Sequence, residues 1–136
     1  MVLMTVLTHH NPPGLQRSPA FTQAVEVAPS ARLLFIGGQN GVDEDGEVVD
    51  GGIGPQTTQA LRNVQTAVES TGGSIADIAK WTVLVTDATQ IGDGFAAFSE
   101  FWDAGTAPPA ITVQVIAGLA GPDLLVEIEA VAAIPA

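Results

Sequence analysis

The sequence predicts one domain of mixed α and β structure whose elements run β-β-(β)-α-β-α-β-β. Six strands form a mixed sheet, and both helices lie on one face of it. Three observations carry this expectation. Residues 56–69 place Ala60, Leu61, Val64, Ala67 and Val68 at i, i+1, i+4, i+7 and i+8, the stripe of an amphipathic helix. Residues 80–86, 111–117 and 124–132 alternate with the period of two that a half-buried strand requires. The 136 residues suffice for a single core and leave little room for a second.

Taken in order, residues 1–20 hold His9, His10, Pro12, Pro13, Gly14 and Pro19 and read as an irregular arm ahead of a domain over 21–136. Phe21, Val25 and Val27 share one face of a strand over 21–27. Leu33-Leu34-Phe35-Ile36, stopped by Gly37-Gly38, reads as a buried strand. Asp43-Glu44-Asp45-Gly46-Glu47 is an acidic turn, and Val48-Val49 a stub strand after it. Gly72-Gly73 closes the first helix, and Ser74 to Asp77 has capping-box spacing. Ile91, Phe95, Phe98 and Trp102 step by four, three and four through a second helix over 91–102, with Pro108-Pro109 beyond it. Strand–helix–strand crossovers are right-handed, which puts both helices on the same side. Two helices leave the other sheet face bare although it carries apolar residues, so a second copy of the chain is expected to cover it.

Composition excludes several classes. The chain has no cysteine, so disulfides, zinc ribbons, thiol nucleophiles and iron–sulfur clusters are absent. Fifteen acidic residues against four basic ones (Arg17, Arg32, Arg62, Lys80) give a net charge of −11. Such a surface repels the phosphates of nucleic acids and of anionic membranes, so neither is an expected partner. The opening Met1 to Leu7 has no basic region, and no apolar run approaches a bilayer span. A cytoplasmic protein is the expectation. His9 and His10 have no third ligand nearby, so neither a metal site nor a cofactor is expected.

The chemistry-bearing candidates are few. Glu127 and Glu129 are two apart on the last strand, hence on one face and about 7 Å apart. They form either a solvated acidic face or a site where one carboxylate orients water. Thr112 and Gln114 share a face of the preceding strand and offer hydroxyl and amide partners. Gly37-Gly38-Gln39-Asn40-Gly41 lacks the spacing of a phosphate loop and reads as a place where backbone comes close to something else. Both histidines lie in the arm and no serine has a GxSxG context, which leaves a Ser-His triad little support. Phe95, Phe98 and Trp102 have the spacing of core residues.

Several segments together resemble the YjgF/RidA (reactive intermediate deaminase) family. They are Phe35-Ile36-Gly37-Gly38-Gln39, the Asp45-Gly46 turn, Gln56 to Val64, Gly72-Gly73-Ser74 and Val126-Glu127-Ile128-Glu129-Ala130-Val131-Ala132. The resemblance implies a chorismate-mutase-like α+β fold, a homotrimer and three ligand clefts between subunits. It also implies hydrolysis of reactive enamines and imines, with an arginine that holds the substrate carboxylate. That arginine falls on Ala110, the family's serine on Gly37 beside Gly38, and its tyrosine on Phe21. The water-orienting glutamate falls on Glu127 and is kept. The expected cleft is therefore lined by Phe21, Gly37, Gly38, Ala110 and Thr112, with Glu127 as the catalytic residue.

Alanine cannot form the bidentate clamp of a guanidinium. Deamination of 2-imino acids is thus not expected unless Arg17 or Arg32 reaches the cleft. A neutral or amine-bearing metabolite suits the site better, either hydrolysed at a C–N bond or bound without reaction. The ribonuclease activity sometimes attached to the family conflicts with the charge.

Overall fold

A computed structural model describes residues 5–102 and 105–136. The first four residues of the expected arm lie outside that range. The chain runs through β1 (Leu7–His10), β2 (Ala24–Val27), β3 (Arg32–Asn40), α1 (Ile53–Glu69), β4 (Ile78–Val85), α2 (Ile91–Phe101), β5 (Ala110–Val115) and β6 (Val126–Ile134). Single 3-10 turns at Ile75–Asp77 and Ala88–Gln90 precede β4 and α2. Six strands are present among the described residues, but they do not form one sheet. β3, β6, β4 and β5 make a mixed four-stranded sheet in that order, and β1 and β2 pair as a separate ribbon.

The long helix follows from its apolar stripe, which buries Ala60, Leu61, Val64 and Val68. It starts at Ile53, three residues before the stripe suggests, because Pro55 sits in the first turn where an N–H has no helical partner anyway. Gly72, at φ +86°, ends it, with the Gly73 N–H donating back to the Val68 carbonyl. Ser74 and Asp77 form the expected capping box. β4 and β5 run parallel, joined through α2, whereas β6 is antiparallel to both β3 and β4. The core between helices and sheet includes Trp81, Ile128, Ala130 and Ile134. Phe98 meets the Trp81 ring edge-on at 5.8 Å and stacks on Trp102 at 6.1 Å. These two aromatics are core as expected, but Phe95 is 51% exposed.

Alternation assigns the other face. It carries Phe35 of β3, Lys80, Thr82 and Leu84 of β4, Ala110, Thr112 and Gln114 of β5, and Glu127, Glu129 and Val131 of β6. The expected buried run at 33–36 is corrected accordingly. Ile36 is buried under the helices, while Leu33 and Phe35 point the other way and are 55% and 74% exposed. The arm is not wholly irregular either. Leu7 packs with Val25 and Val27 of the ribbon against Ala79 and Ala133, so β1 and β2 cover one end of the helix-free face. Val48-Val49 contributes only an isolated bridge from Val48 to Val42.

Candidate functional site

A bulge in β3 builds the centre of the site. Ile36 pairs with Ala130 and Gln39 with Ile128, so β3 spends one residue more than β6 across Gly37-Gly38. The glycine pair therefore does not end the strand, which continues to Asn40. The close approach expected at these glycines is to Glu127. A Cβ on Gly38 would stand 2.5 Å from Glu127 Oε2, so only glycine leaves the carboxylate its place.

A hydrogen-bonded relay fixes that carboxylate. Asn63 of α1 donates to the Asn40 and Val42 carbonyls at 3.2 and 2.9 Å, pinning the end of β3. Asn40 Nδ2 in turn donates to the Val126 carbonyl at 3.1 Å and to Glu127 Oε1 at 3.2 Å. The loop leading into β6 is held by buried Gln56, whose amide donates to the Asp123 carbonyl and accepts from the Leu125 N–H, both at 2.9 Å. Glu127 is half-buried, with Oε2 against the bulge. A carboxylate so placed can accept a proton from a water, or a hydrogen bond from an N–H group.

The remaining expected residues are not brought to Glu127 within one chain. Ala110 pairs with Lys80, which pairs with Val131, four residues along β6 from Glu127. Two strand spacings and four residues put Ala110 about 16 Å from Glu127. Thr112 lies on the row of Thr82 and Glu129, and Gly37 borders a depression of about 360 Å³ with Phe35, Lys80, Thr82 and Glu129. Phe21 sits on the other side of the sheet, in a pocket with Val83, Phe95 and Ile111. Within one chain Ala110 and Thr112 therefore do not meet Glu127.

Lys80 is the residue that reading by segments missed. Its ammonium donates to Thr112 Oγ1, directly beside Ala110. The signal was in the alternation, since Lys80 has the parity of Thr82 and the opposite parity from buried Trp81. Neither expected substitute cation is there. Arg32 donates to the Thr71 carbonyl at 3.1 Å beyond the end of α1, and Arg17 is exposed in the loop before β2. The arm histidines are elsewhere too, with His10 Nε2 2.9 Å from Glu26 Oε1. Among the described residues, no helix is long and apolar enough to cross a membrane.

Two helices over one face of a mixed sheet, with a carboxylate seated on a glycine bulge of the opposite face, define a class of small α+β proteins. Residues 15–134 match the family model described as Endoribonuclease L-PSP. A RutC family protein of Pyrococcus abyssi is 32% identical over 82% of this chain and 84% of its own length. A rat 2-iminobutanoate/2-iminopropanoate deaminase is 32% identical over 83% of this chain and 79% of its own. Among solved structures, YyfB of Yersinia pestis, from the Rid family, superposes with a TM-score of 0.86 at 30% identity, covering 96% of this chain and 100% of that one. TdcF of E. coli with bound serine gives 0.69 at 26% identity, over 86% and 95%. The chain belongs to the YjgF/RidA family.

Proposed function

We propose that this protein is a homotrimer whose inter-subunit clefts take a small neutral or amine-bearing metabolite and hydrolyse an imine- or enamine-type C–N bond. The observation that carries the reading is the Glu127 carboxylate, held by Asn40 over a bulge that only glycine permits. In the proposed cleft the Gly37-Gly38-Glu127 element of one subunit faces the Ala110-Thr112 element of the next, a reading supported by the separation of about 16 Å within a chain. Leu33 and Phe35 supply exposed apolar area for that contact.

Glu127 takes a proton from water as the water oxygen bonds to the imine carbon, and the C=N π electrons move to nitrogen. Nitrogen receives that proton to give the carbinolamine. Glu127 then takes the carbinolamine hydroxyl proton and passes it to nitrogen, the oxygen electron pair forms C=O as the C–N bond breaks, and a carbonyl compound and ammonia or an amine leave. The names of the deaminase relatives support this chemistry, while Ala110 argues against a carboxylate-bearing substrate. A second reading, a trimer that binds a metabolite without turning it over, is favoured by that same missing clamp. RNA cleavage, which the family model's description names, fits poorly with a net charge of −11.

Turnover of a panel of imines, enamines and cyclic amides by wild type and Glu127→Gln tests the proposal. Loss of a general base predicts a kcat lower by about 10²–10⁴ for the variant, with its oligomeric mass retained. Equal turnover by the two proteins refutes the role of Glu127. Binding from the panel without any turnover selects the second reading.

A further inference from the structure

The amides behind Glu127 extend further into α1 than the strand end they pin. Gln59 Nε2 donates to Asn63 Oδ1 at 2.9 Å, one helical turn further along. Asn63 spends both hydrogens of its Nδ2 on the Asn40 and Val42 carbonyls. Asn40 repeats the pattern, with its Nδ2 donating to the Val126 carbonyl and to Glu127 Oε1. Donors and acceptors therefore follow one direction, from the helix to the carboxylate.

Gln59 sets that direction. A carboxamide ends in one oxygen and one NH2, so a reversed Asn63 would set its oxygen against two carbonyls and its NH2 against that of Gln59. The strand exit held by Asn63 also has no slack on its helix side. A Cβ on Gly41 would stand 2.5 Å from Gln56 Cα, so the backbone between Asn40 and Val42 lies directly on α1. Any shift of the Asn63 amide is thus passed to Asn40, and from there to Glu127. With Oε1 engaged by Asn40, Oε2 is the carboxylate oxygen left for water.

We infer, on the reading of Glu127 as the group that orients water, that Gln59 and Asn63 are positioning residues. They act through Asn40 to hold Oε1 and so present Oε2 to the reacting water. Gln59→Glu and Asn63→Asp each exchange an NH2 for an oxygen at constant size, which sets acceptor against acceptor. Asn63→Asp should lower kcat about 10²-fold, as displacement of a reacting group by an ångström does. Gln59→Glu removes one link further back and should lower kcat about tenfold. KM should change by less than about twofold in both, because neither residue touches substrate. Gln65→Glu makes the same exchange on α1 outside the relay and should keep the wild-type kcat. Added to Glu127→Gln, Asn63→Asp should cost nothing further, whereas a general loosening of the fold would lower turnover again. If Asn63→Asp does not fold, the kcat of Gln59→Glu against that of Gln65→Glu decides alone. Wild-type kcat in Gln59→Glu and Asn63→Asp, beside a loss in Glu127→Gln, overturns the positioning role and leaves that of Glu127 standing. An equal loss in Gln65→Glu and Gln59→Glu overturns it as well. Equal turnover by wild type and Glu127→Gln, or none by wild type, removes the role of Glu127 and the positioning role with it.

Discussion

Gly38→Ala moves the Glu127 carboxylate without removing it. The new methyl would lie 2.5, 2.6 and 2.9 Å from Oε2, Cδ and Cγ of Glu127, where ordinary contact begins at 3.4 Å. The side chain must therefore retreat by about an ångström, since the backbone of β3 is tied to β6 on either side of the bulge. Gly38 is not among the glycines with positive φ, so alanine adds no backbone strain there. Retreat breaks the 3.2 Å bond from Asn40, worth about 1 kcal/mol for a half-exposed charge-assisted pair. Alanine recovers about 0.4–1 kcal/mol by stiffening the unfolded chain. Net stability should hardly change, with Tm within about 4 °C of wild type. A reacting group displaced by an ångström costs about 10²-fold in rate. The assay is kcat on the best substrate of the imine and enamine panel, with Tm measured alongside. Wild-type kcat in a folded Gly38→Ala protein would refute the assignment of Glu127 as the group that orients water.

Three further outcomes are expected. Ala110→Arg should tighten binding of 2-oxobutanoate by about 10–100-fold, the worth of a charge-assisted clamp, and an unchanged Kd by calorimetry would remove Ala110 from the cleft. Light scattering at micromolar concentration should give three times 13.9 kDa for wild type and a single-chain mass for Phe35→Glu, which puts a charge at a large apolar side chain that is 74% exposed; a wild-type monomer would end the trimer proposal. The Asp87 carboxyl is held below its ordinary 3.8, first by the Thr89 hydroxyl and then by the Thr89 N–H, at 2.7 and 2.9 Å. A lowered folded value means that its stabilisation is present above the ordinary value and is lost as pH falls through the lower one, so NMR titration should find its midpoint below 3.8 and Thr89→Val should raise it.

The parts legible in the sequence are those where one strong pattern acts alone. The stripe of α1, the alternation of β4 and the capping box at Ser74 each state a local rule that the core then rewards. β1 had no such pattern, because Thr8, His9 and His10 offer no apolar alternation and prolines follow at once. It exists because Leu7 finds Val25, Val27 and Ala133 across the fold, which no local window contains. β3 was read short because two glycines mark a strand end and a bulge equally well. Only the register against β6 separates the two, and that register is a long-range fact. Phe21 and Glu127 lie on opposite faces of the sheet within one chain, a placement that no local pattern around either residue states. Lys80 was legible by parity but lay outside every segment that suggested a site.

In the proposed trimer, the division of the site between chains follows from where its halves sit in the sheet. β3 and β5 are the two edge strands, with β6 and β4 between them. Gly38 and Asn40 bring the Glu127 half to the β3 edge, and Ala110 and Thr112 lie on the β5 edge. An interface that joins these two different edges is heterologous, since each chain offers one surface and receives the other. Such contacts close into a ring whenever the rotation per subunit divides the circle, giving as many clefts as subunits. In the proposed trimer every Glu127 is then completed by a neighbour. On that proposal a monomer would have no active site even at reduced strength, because the facing elements are separated by the width of the sheet. Dissociation by Phe35→Glu should accordingly abolish turnover while the Asn40–Glu127 pair stays intact, a loss that a site contained within one chain would not show.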